Sequence, residues 1–405
     1  MKWEKVKLGN VCEITSSKRI FYSEYVDDGV PFYRSKEIIE SNEGKIIENP
    51  LYISVDKYNE IKEKFGVPQT GDMLLTSVGT IGIPYIIKKK DRFYFKDGNL
   101  TWFRDFREGL NSKYLYYWIK SSEGTGILYN TTIGSSQKAL TISALKNIKV
   151  SLPPRSVQDK IVEVVSAYDD LIENNQKQIK LLEEAAQRLY KEWFVDLRFP
   201  GHENTKIVDG VPEGWNWCKL EDAIQLDPKV TLTKERMKQF IPMSALSTSS
   251  MVLDESQFTE TTSNSGSKFQ NGDTLLARIT PCLENGKTAY VSGLKSDEGA
   301  VGSTEYIVMR AKTINSYMVY LLARTDDFRQ SAINSMSGSD GRQRVKSDKL
   351  KMLDYLHPTS ELVEKFENVE EPIFEKIYRL SKQMQQAKQA RDLLLPKLMS
   401  GEVEV

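Results

Sequence analysis

Few residues in this chain have the types and spacing that metal binding or catalysis requires. Cys12, Cys218 and Cys282 lie far apart, and only His202 and His357 offer imidazole ligands. A structural zinc site needs about four such ligands close together, and an odd number of cysteines does not suit a disulfide framework. We therefore expect no metal site. The chain also lacks a Gly-x-x-x-x-Gly-Lys phosphate loop, so we expect no ATPase activity.

Two short segments have the look of catalytic motifs. Asn49-Pro50-Leu51-Tyr52 is similar to the Asn-Pro-Pro-Tyr motif of adenine methyltransferases, but no glycine-rich loop suited to S-adenosylmethionine accompanies it. Glu284-Asn285-Gly286-Lys287 has the acidic-x-x-Lys spacing of a nuclease site, yet its central Asn-Gly predicts a hairpin turn. Both segments are better interpreted as turns. The sequence therefore predicts no catalytic residue.

Two long helical patterns must position whatever chemistry the chain carries. Apolar residues recur at alternating steps of four and three from Ile161 to Trp193, and the same rhythm returns from Val363 onwards. This spacing is typical of a coiled-coil seam, and a helix of roughly 35 residues is about 50 Å long. The predicted seam comprises Ile161, Val165, Tyr168, Ile172, Asn175, Ile179, Leu182, Leu189, Ile377, Leu380, Met384 and Leu394.

Two residues interrupt these patterns. Asn175 is polar, and a lone Asn in an apolar seam specifies register and partner at a cost in stability. Pro372 follows Glu370 and Glu371 early in the second pattern, where we expect the helix to break or to begin. We expect the two helices to be each other's antiparallel partners.

The sequence repeats a single plan at an offset near 204. Gly71-Asp72 reappears as Gly272-Asp273, and Asn111-Ser112 reappears as Asn315-Ser316. Each copy is a body of short strands and turns followed by a long helix. In the first copy we expect a helix at 112–121, and the expected strands are 29–33, 72–76, 81–87, 93–95, 100–103 and 145–152.

Composition limits the class of protein. With 405 residues the chain is expected to form two or more domains. Its formal net charge is zero, but residues 1–155 hold 24 Lys and Arg against 18 Asp and Glu, so a basic surface must be local. The chain shows neither a signal-peptide pattern nor an apolar run long enough to span a membrane. We therefore expect a cytoplasmic protein.

Several segments, in their order and spacing, resemble one family. They are 152–161 at the start of the central helix, 188–194 with Phe199-Pro200 at its end, 211–215 before the second body, and 394–401 at the end of the chain. Together with the tandem plan, they resemble the DNA-specificity (S) subunit of type I restriction-modification systems. Gln158 and a double proline mark the start of the first long helix, and the second copy lacks both features at the equivalent point.

The resemblance implies an α+β fold of two similar mixed α/β target-recognition domains. A long antiparallel two-helix coiled-coil spacer would separate them, with an internal pseudo-two-fold repeat. The implied divisions are 1–155 and 199–358 for the two recognition domains, and 156–198 and 359–405 for the central and C-terminal spacer helices. Each recognition domain would read one half of a bipartite double-stranded DNA site.

The implied role is that of a non-catalytic subunit with several partners. The helices would dock two adenine methyltransferase subunits, and restriction or translocase subunits would join that core. We expect this chain to bind no cofactor, since S-adenosylmethionine and ATP belong on the partner subunits. Four apolar residues of the central helix are expected to point away from the seam and to contact a partner. They are Leu171, Leu181, Tyr190 and Phe194.

DNA binding requires cations for phosphates and polar groups for base edges. Both bodies hold residues of these types in or beside loops, although charge runs are often only solvated turns. The candidates in the first body are Lys18, Arg19, Arg34, Lys36, Lys88, Lys89, Lys90, Arg92, Tyr94, Gln137 and Lys138. Those in the second body are Lys268, Arg278, Arg342, Gln343, Arg344 and Lys346.

Simpler interpretations stay open for these residues. The lysine run fits a solvated hairpin turn between Ile87 and Phe93, and the arginines of the second body can pair with Asp340 and Asp348. A coiled-coil adaptor that bridges protein partners without reading DNA would explain the helices equally well. It would not explain the repeated basic loops.

Overall fold

A computed structural model describes residues 3–42, 47–134, 138–338 and 342–405. The chain forms two compact units. The first unit comprises Met1–Leu171 and Ala387–Val405, and the second comprises Ile172–Gln386. Each long helix therefore contributes one segment to each unit, whereas the sequence assigned the helices to separate divisions at 156–198 and 359–405. The four-part division stays a prediction.

The described residues of the first unit form ten short strands. They are β1 Glu4–Lys7, β2 Glu13–Thr15, β3 Tyr25–Val26, β4 Val30–Tyr33, β5 Leu51–Ile53, β6 Met73–Thr76, β7 Pro84–Ile86, β8 Tyr94–Phe95, β9 Leu100–Arg104 and β10 Lys149–Leu152. One antiparallel sheet has the order β2-β9-β6-β7, and a mixed sheet has the order β3-β5-β4-β8. Strands β1 and β10 form a separate antiparallel pair.

The second unit repeats this arrangement, with twelve strands in the part of it that the structure describes. They are β11 Ile207–Val208, β12 Val211–Pro212, β13 Asn216–Lys219, β14 Ile224–Leu226, β15 Lys238–Ile241, β16 Thr259–Thr261, β17 Ser267–Phe269, β18 Thr274–Ala277, β19 Thr288–Tyr290, β20 Ala300–Gly302, β21 Tyr306–Ala311 and β22 Asp354–His357. The order β14-β21-β18-β19 matches β2-β9-β6-β7, and the pair β13-β22 matches β1-β10.

The mixed sheets of the two units have the same central strand pairing and differ at both edges. In each, a parallel pair has an antiparallel neighbour: β4 pairs with β8 and β5 in the first unit, and β15 pairs with β20 and β16 in the second. The first unit then adds β3 beside β5, whereas the second adds β17 beside β20. The repeat predicted from the sequence is therefore confirmed, with its divergence at the sheet edges.

The helices follow the same repeat. In the first unit they are α1 Ser35–Asn42, α2 Val55–Lys64, α3 Ser112–Lys120, α4 Ser122–Thr131, α5 Ile142–Asn147 and the start of α6 Arg155–Tyr190. In the second unit they are α7 Leu220–Ala223, α8 Ser316–Arg324, α9 Asp326–Asn334, α10 Ser347–Lys351 and the start of α11 Ser360–Ser400. A π-helical turn, Lys191–Val195, ends α6.

Two sequence motifs recur because each has the same structural role in both units. Asp72 and Asp273 each accept a hydrogen bond from the backbone N–H three residues earlier, at 2.9 and 2.8 Å, which closes the turn before a central strand. The preceding Gly71 and Gly272 have φ of +93° and +87°, a region that favours glycine. The repeated Gly-Asp is therefore a turn motif.

The repeated asparagines join each body to its following helix. Asn111 accepts hydrogen bonds from the first-turn amides of α3, and its Nδ2 donates to Asp159 Oδ1 of α6 at 2.7 Å. Asn315 caps α8 through the Met318 amide, and its Nδ2 donates to the Val363 carbonyl of α11 at 3.1 Å. Side-chain oxygens at an N-cap satisfy amides that would otherwise have no partner.

The long helices pair in antiparallel fashion within each unit. In the first unit Asp169 accepts from Arg391 at 2.7 Å, and in the second unit Asn175 donates to Gln383 at 3.0 Å. The predicted seam lies inside these pairings: Ile161, Val165, Ile172, Asn175, Ile179, Ile377 and Leu380 are buried, whereas Tyr168, Leu182, Leu189, Met384 and Leu394 are half-buried. The predicted fold class is confirmed by these features.

Three expectations from the sequence are wrong. Helix α11 runs unbroken through Pro372, whose ring lies on the exposed face, while Phe374 beside it is buried and keeps the helix packed. The predicted strand at 145–152 is strand only over β10, because Thr141 caps the short helix α5 before it. Tyr190 is buried, and the ring centre of Phe194 lies 4.8 Å from that of Phe366. Neither residue therefore points away from the helix pair.

Candidate nucleic-acid interface

Each unit brings two loop segments together at the end of its central strand. In the first unit, Ala139 bridges to Val78, just after β6, and to Ile133. In the second unit, Arg344 bridges to Ile279, just after β18, and to Ser337. We call these places the first junction (residues 77–82 with 133, 134 and 138–140) and the second junction (residues 278–281 with 337, 338 and 342–346). They occupy equivalent positions in the repeat.

At the edge of the first junction, an exposed aromatic ring of helix α4 lies against an exposed cation of the junction. Lys138 Nζ lies 3.7 Å from the centre of the Tyr129 ring, which is 63 % exposed at the end of α4. The ammonium group lowers the pKa of Tyr129 through hydrogen bonding and charge. Ile133 is also exposed. Such a surface suits contact with a phosphate backbone and a sugar or base. The predicted residue Gln137 lies outside the described residues.

The second junction concentrates arginines around one carboxylate. Arg344 donates to Glu305 through Nε at 2.9 Å and Nη2 at 2.7 Å. This pairing lowers the pKa of Glu305 and raises that of Arg344. Arg278 lies close enough to act electrostatically on Glu305, and its buried Nε has no hydrogen-bond partner among the described residues.

The remaining candidates of the second unit differ in accessibility. Arg342 and Lys346 are exposed, while Gln343 is half-buried and its carbonyl accepts from Thr280. Lys268 is half-buried on the edge strand β17. Of the two acidic residues expected as pairing partners, Asp348 bonds Lys351 at 2.7 Å, and Asp340 lies outside the described residues. Arg344 pairs with Glu305, a partner that the sequence did not suggest.

The lysine run of the first unit is an exposed turn. Lys88, Lys89 and Lys90 are exposed, and Asp91 holds the turn by accepting from the Lys88 amide and the Tyr85 hydroxyl, each at 2.8 Å. The turn links β7 to β8, which belong to different sheets, so it is not the hairpin considered from the sequence. Arg92 is exposed beside it, with its guanidinium 5.7 Å from the Tyr58 ring centre.

The prediction that Tyr94 contacts DNA is wrong. Tyr94 is fully buried in the mixed sheet, and its hydroxyl accepts from the Lys18 amide at 2.6 Å. Burial raises the pKa of Tyr94. An alternating aromatic strand predicts one buried and one exposed face, but β8 is covered on both. Tyr94 therefore stabilises the core and positions the loop that carries Lys18.

The other first-unit cations are exposed to different degrees and partly paired. Lys18 is exposed, with Nζ 5.1 Å from the Phe65 ring centre, and Arg19 pairs with Asp97 at 2.8 Å. Lys36 is exposed and 3.7 Å from Glu40. Arg34 holds the buried Glu37 through two hydrogen bonds. Its guanidinium therefore already compensates a buried carboxylate, which is a structural role.

The sequence interpretation missed cations in the second unit. Lys229, Lys234 and Arg236 are exposed in the loop between β14 and β15. That loop is the counterpart of the one carrying Lys18 and Arg19, because β14 corresponds to β2 in the repeat. Aligning the two copies strand by strand would have found them. Arg236 is paired with Glu298 at 2.8 Å.

Metal-binding groups and membrane-spanning helices were also sought in the described ranges. In those ranges, no group of three or more His, Cys, Asp or Glu side chains is arranged to hold a metal ion. Among the helices of the same ranges, none has the length and apolarity needed to cross a bilayer.

Comparison with known proteins points to one family. Residues 1–184 match the model of the type I restriction modification DNA specificity domain. The chain is similar to type I restriction-modification specificity subunits. It is 27 % identical over 424 aligned positions to the MjaIX specificity subunit of Methanocaldococcus jannaschii, covering 100 % of this chain and 94 % of that one. The resemblance inferred from the sequence is confirmed.

Other specificity subunits match in part or in fold. The EcoAI specificity subunit of Escherichia coli is 35 % identical over 140 residues, which is 33 % of this chain and 24 % of that subunit. The crystal structure of a type I restriction-modification S subunit from M. genitalium has a TM-score of 0.60 at 13 % identity, covering 98 % of this chain and 96 % of that one. The likeness to this S subunit is one of fold.

Proposed function

We propose that this chain gives a type I restriction-modification complex its DNA sequence specificity, with each unit reading one half of a bipartite duplex site. The observation that carries the proposal is the duplication itself. In both units the antiparallel sheet that leads into the junction of two loops has the same strand order, but the residues at the two junctions differ. One frame with two different sets of loop side chains is suited to reading two different short sequences.

The chemistry of the junctions supports contact with duplex DNA. Exposed cations such as Lys138 and Arg342 neutralise phosphates and position a protein on the duplex. Arginine and glutamine side chains read base edges in the major groove, because they can make two hydrogen bonds to guanine and adenine respectively. The turn of Lys88, Lys89 and Lys90 would add phosphate contacts in the first unit.

We propose that the chain itself is non-catalytic and that its long helices dock two adenine methyltransferase subunits. The seam side chains are buried within each unit, but Leu181 and Leu393 are 64 % and 69 % exposed on these helices. They are available to a protein partner. Restriction or translocase subunits would complete the complex. S-adenosylmethionine and ATP would bind those partners rather than this chain, and the complex would act in the cytoplasm.

The test is to sequence methylated adenines in cells that contain the methyltransferase subunit with and without this chain. We expect a split motif that depends on the chain, because two units would read two separated half-sites. Arg342→Ala combined with Arg344→Ala is expected to relax or abolish one half of the motif and to preserve the other. Co-purification with the methyltransferase checks that assembly is intact.

The outcome distinguishes this proposal from an adaptor that only bridges proteins. An adaptor would give a complex with no DNA affinity in a gel shift at low salt, where phosphate contacts are strongest. Methylation that does not depend on this chain, or loss of assembly in the double arginine variant, would contradict the assigned roles.

A further inference from the structure

Arg344 and Glu305 form a fixed pair at the second junction. Both oxygens of Glu305 accept from the Nε edge of the guanidinium, at distances between 2.7 and 3.0 Å. The Arg344 side chain is 41 % exposed and that of Glu305 is 25 % exposed. Solvent therefore reaches the rest of the guanidinium while the carboxylate holds one edge of it.

The backbone on both sides of this pair is also held. The amide of Arg344 donates to the Ser337 carbonyl at 3.0 Å, and the amide of Val345 donates to the Arg278 carbonyl at 2.9 Å. The Arg278 amide donates in turn to the Glu305 carbonyl at 3.0 Å. A side chain on such a support loses little conformational entropy when it binds, which favours specific contacts.

The donors of Arg344 divide into occupied and available groups. A guanidinium has five N–H groups. The Nε–H group and one Nη2–H group point to Glu305, and Nη1 is 3.5 Å from the Arg342 carbonyl. One N–H group on each of Nη1 and Nη2 is left at the tip of the side chain. Two parallel donors of this kind match the O6 and N7 acceptors of guanine in the major groove.

We propose that Arg344, held by Glu305, reads one guanine in the half-site of the second unit. This inference rests on the proposed function and adds the identity of a base. Glu305 acts as a positioning residue because it touches the arginine and not the DNA. Its charge also offsets that of Arg344. The pair therefore attracts a phosphate less than a lone arginine does, whereas hydrogen bonding to the uncharged edge of guanine is preserved.

The experiment uses the complex of the full chain with its methyltransferase partner and duplexes carrying the methylated motif. Each guanine of the motif is replaced in turn by 7-deazaguanine, which lacks N7, or by inosine, which keeps O6 and N7. At one position we expect 7-deazaguanine to weaken wild-type binding by about 5- to 150-fold. Inosine at that position should bind like guanine.

The variants assign this effect to Arg344. Arg344→Ala should bind the guanine and 7-deazaguanine duplexes equally, because alanine has no side-chain donor for N7. Glu305→Gln should reduce the discrimination without removing all binding. Arg329→Gln, which removes a similarly exposed arginine from its ion pair with Asp326 on α9 of the same unit, should leave the discrimination unchanged.

Two outcomes would overturn the inference without touching the proposed function. One is that Arg344→Ala weakens binding to all duplexes by the same factor and preserves every 7-deazaguanine effect, as a phosphate contact would. The other is a split motif without a guanine in the half that Arg344→Ala alters. If the complex bound no duplex at all, the proposed function itself would fail. Co-purification and melting temperature confirm that each variant is folded.

Discussion

Asn175 donates a hydrogen bond to Gln383 at 3.0 Å, between helices α6 and α11 within the second unit. Asn175 is buried in the seam, whereas Gln383 is exposed on the opposite helix. The pair therefore lies where an apolar seam meets the surface. A shifted alignment of the helices would leave the Asn175 amide buried without this partner, which costs about 1–3 kcal/mol.

Replacing either member of this pair should have opposite effects on stability. Asn175→Leu is expected to raise the melting temperature, because the seam becomes wholly apolar and Gln383 can turn to water. Gln383→Ala is expected to lower it, by about 1–3 kcal/mol of unfolding free energy, because it leaves the Asn175 amide buried and unpaired. Thermal unfolding of both variants measures these changes. A destabilising Asn175→Leu would show that the hydrogen bond contributes more than the apolar contact.

Glu370 gives the second helix a pH-dependent stability. It is fully buried, its carboxylate has no hydrogen-bond partner in the described ranges, and burial raises its pKa from 4.5 to about 7. Below pH 4.5 the Glu370 carboxyl is protonated in both the folded and the unfolded state, so folding buries no charge there. Between pH 4.5 and 7 the unfolded state releases the proton first, so stability falls as pH rises, by up to about 3 kcal/mol in total.

Substitution of Glu370 should remove this dependence. We expect Glu370→Gln to melt at a higher temperature than the wild type at pH 8, and to lose the part of the fall between pH 5 and pH 8 that Glu370 causes. Glu371→Gln is the matched control, because Glu371 is the adjacent residue and is exposed. An identical pH profile for Glu370→Gln and wild type would contradict the assignment.

The spacing and types of neighbouring residues in the sequence predicted the elements that form through local contacts. The seam of α6 and the helix expected at 112–121 follow from spacing and residue type, and the structure has both, the latter as α3 Ser112–Lys120. Gln158 shows why the two copies diverge at the start of the long helix. It is buried and hydrogen bonds with the Asn111 amide and the carbonyls of Gly109 and Pro153, whereas the equivalent Leu362 is packed as an apolar residue.

Contacts between distant segments were not predictable in the same way. Glu183 lies on the seam face of α6, yet it is buried and accepts from Ser250 Oγ and the Met251 amide at 2.7 and 2.8 Å. Nothing in the spacing of α6 indicates that partner. The pairing of Arg344 with Glu305 and the burial of Tyr94 likewise depend on which sheets and loops meet in space.

The lysine turn of the first unit should contribute to affinity and not to sequence preference. Replacing Lys88, Lys89 and Lys90 together by alanine is expected to weaken binding to all duplexes. The slope of log affinity against log salt should become less negative, by about 0.9 for each phosphate that the variant no longer neutralises. Salt-dependent gel shifts with the assembled complex measure this slope.

Tyr94→Phe is the control for the lysine turn, because Tyr94 belonged to the same predicted set but is buried. It should lower stability, because it removes the acceptor of the hydrogen bond from the Lys18 amide, and it should leave the salt slope unchanged. A triple lysine variant with the wild-type slope would show that the turn is only a solvated surface.

The length of the long helices should determine the gap between the half-sites. Helix α6 has 36 residues and α11 has 41. Removing seven residues from each keeps the seam in phase, because seven residues complete one heptad. It also shortens each helix by about 10 Å, which corresponds to roughly three base pairs at 3.4 Å each.

We therefore expect the doubly shortened chain to direct methylation to a motif with the same two halves and a gap that is shorter by roughly three base pairs. Sequencing of methylated adenines reports both the halves and the gap. The control is to remove seven residues from α6 alone. This deletion leaves the seam residues of the two helices without their partners, so it should abolish assembly with the methyltransferase subunits. An unchanged gap in the doubly shortened chain would mean that the spacing is determined by the methyltransferase subunits and not by these helices.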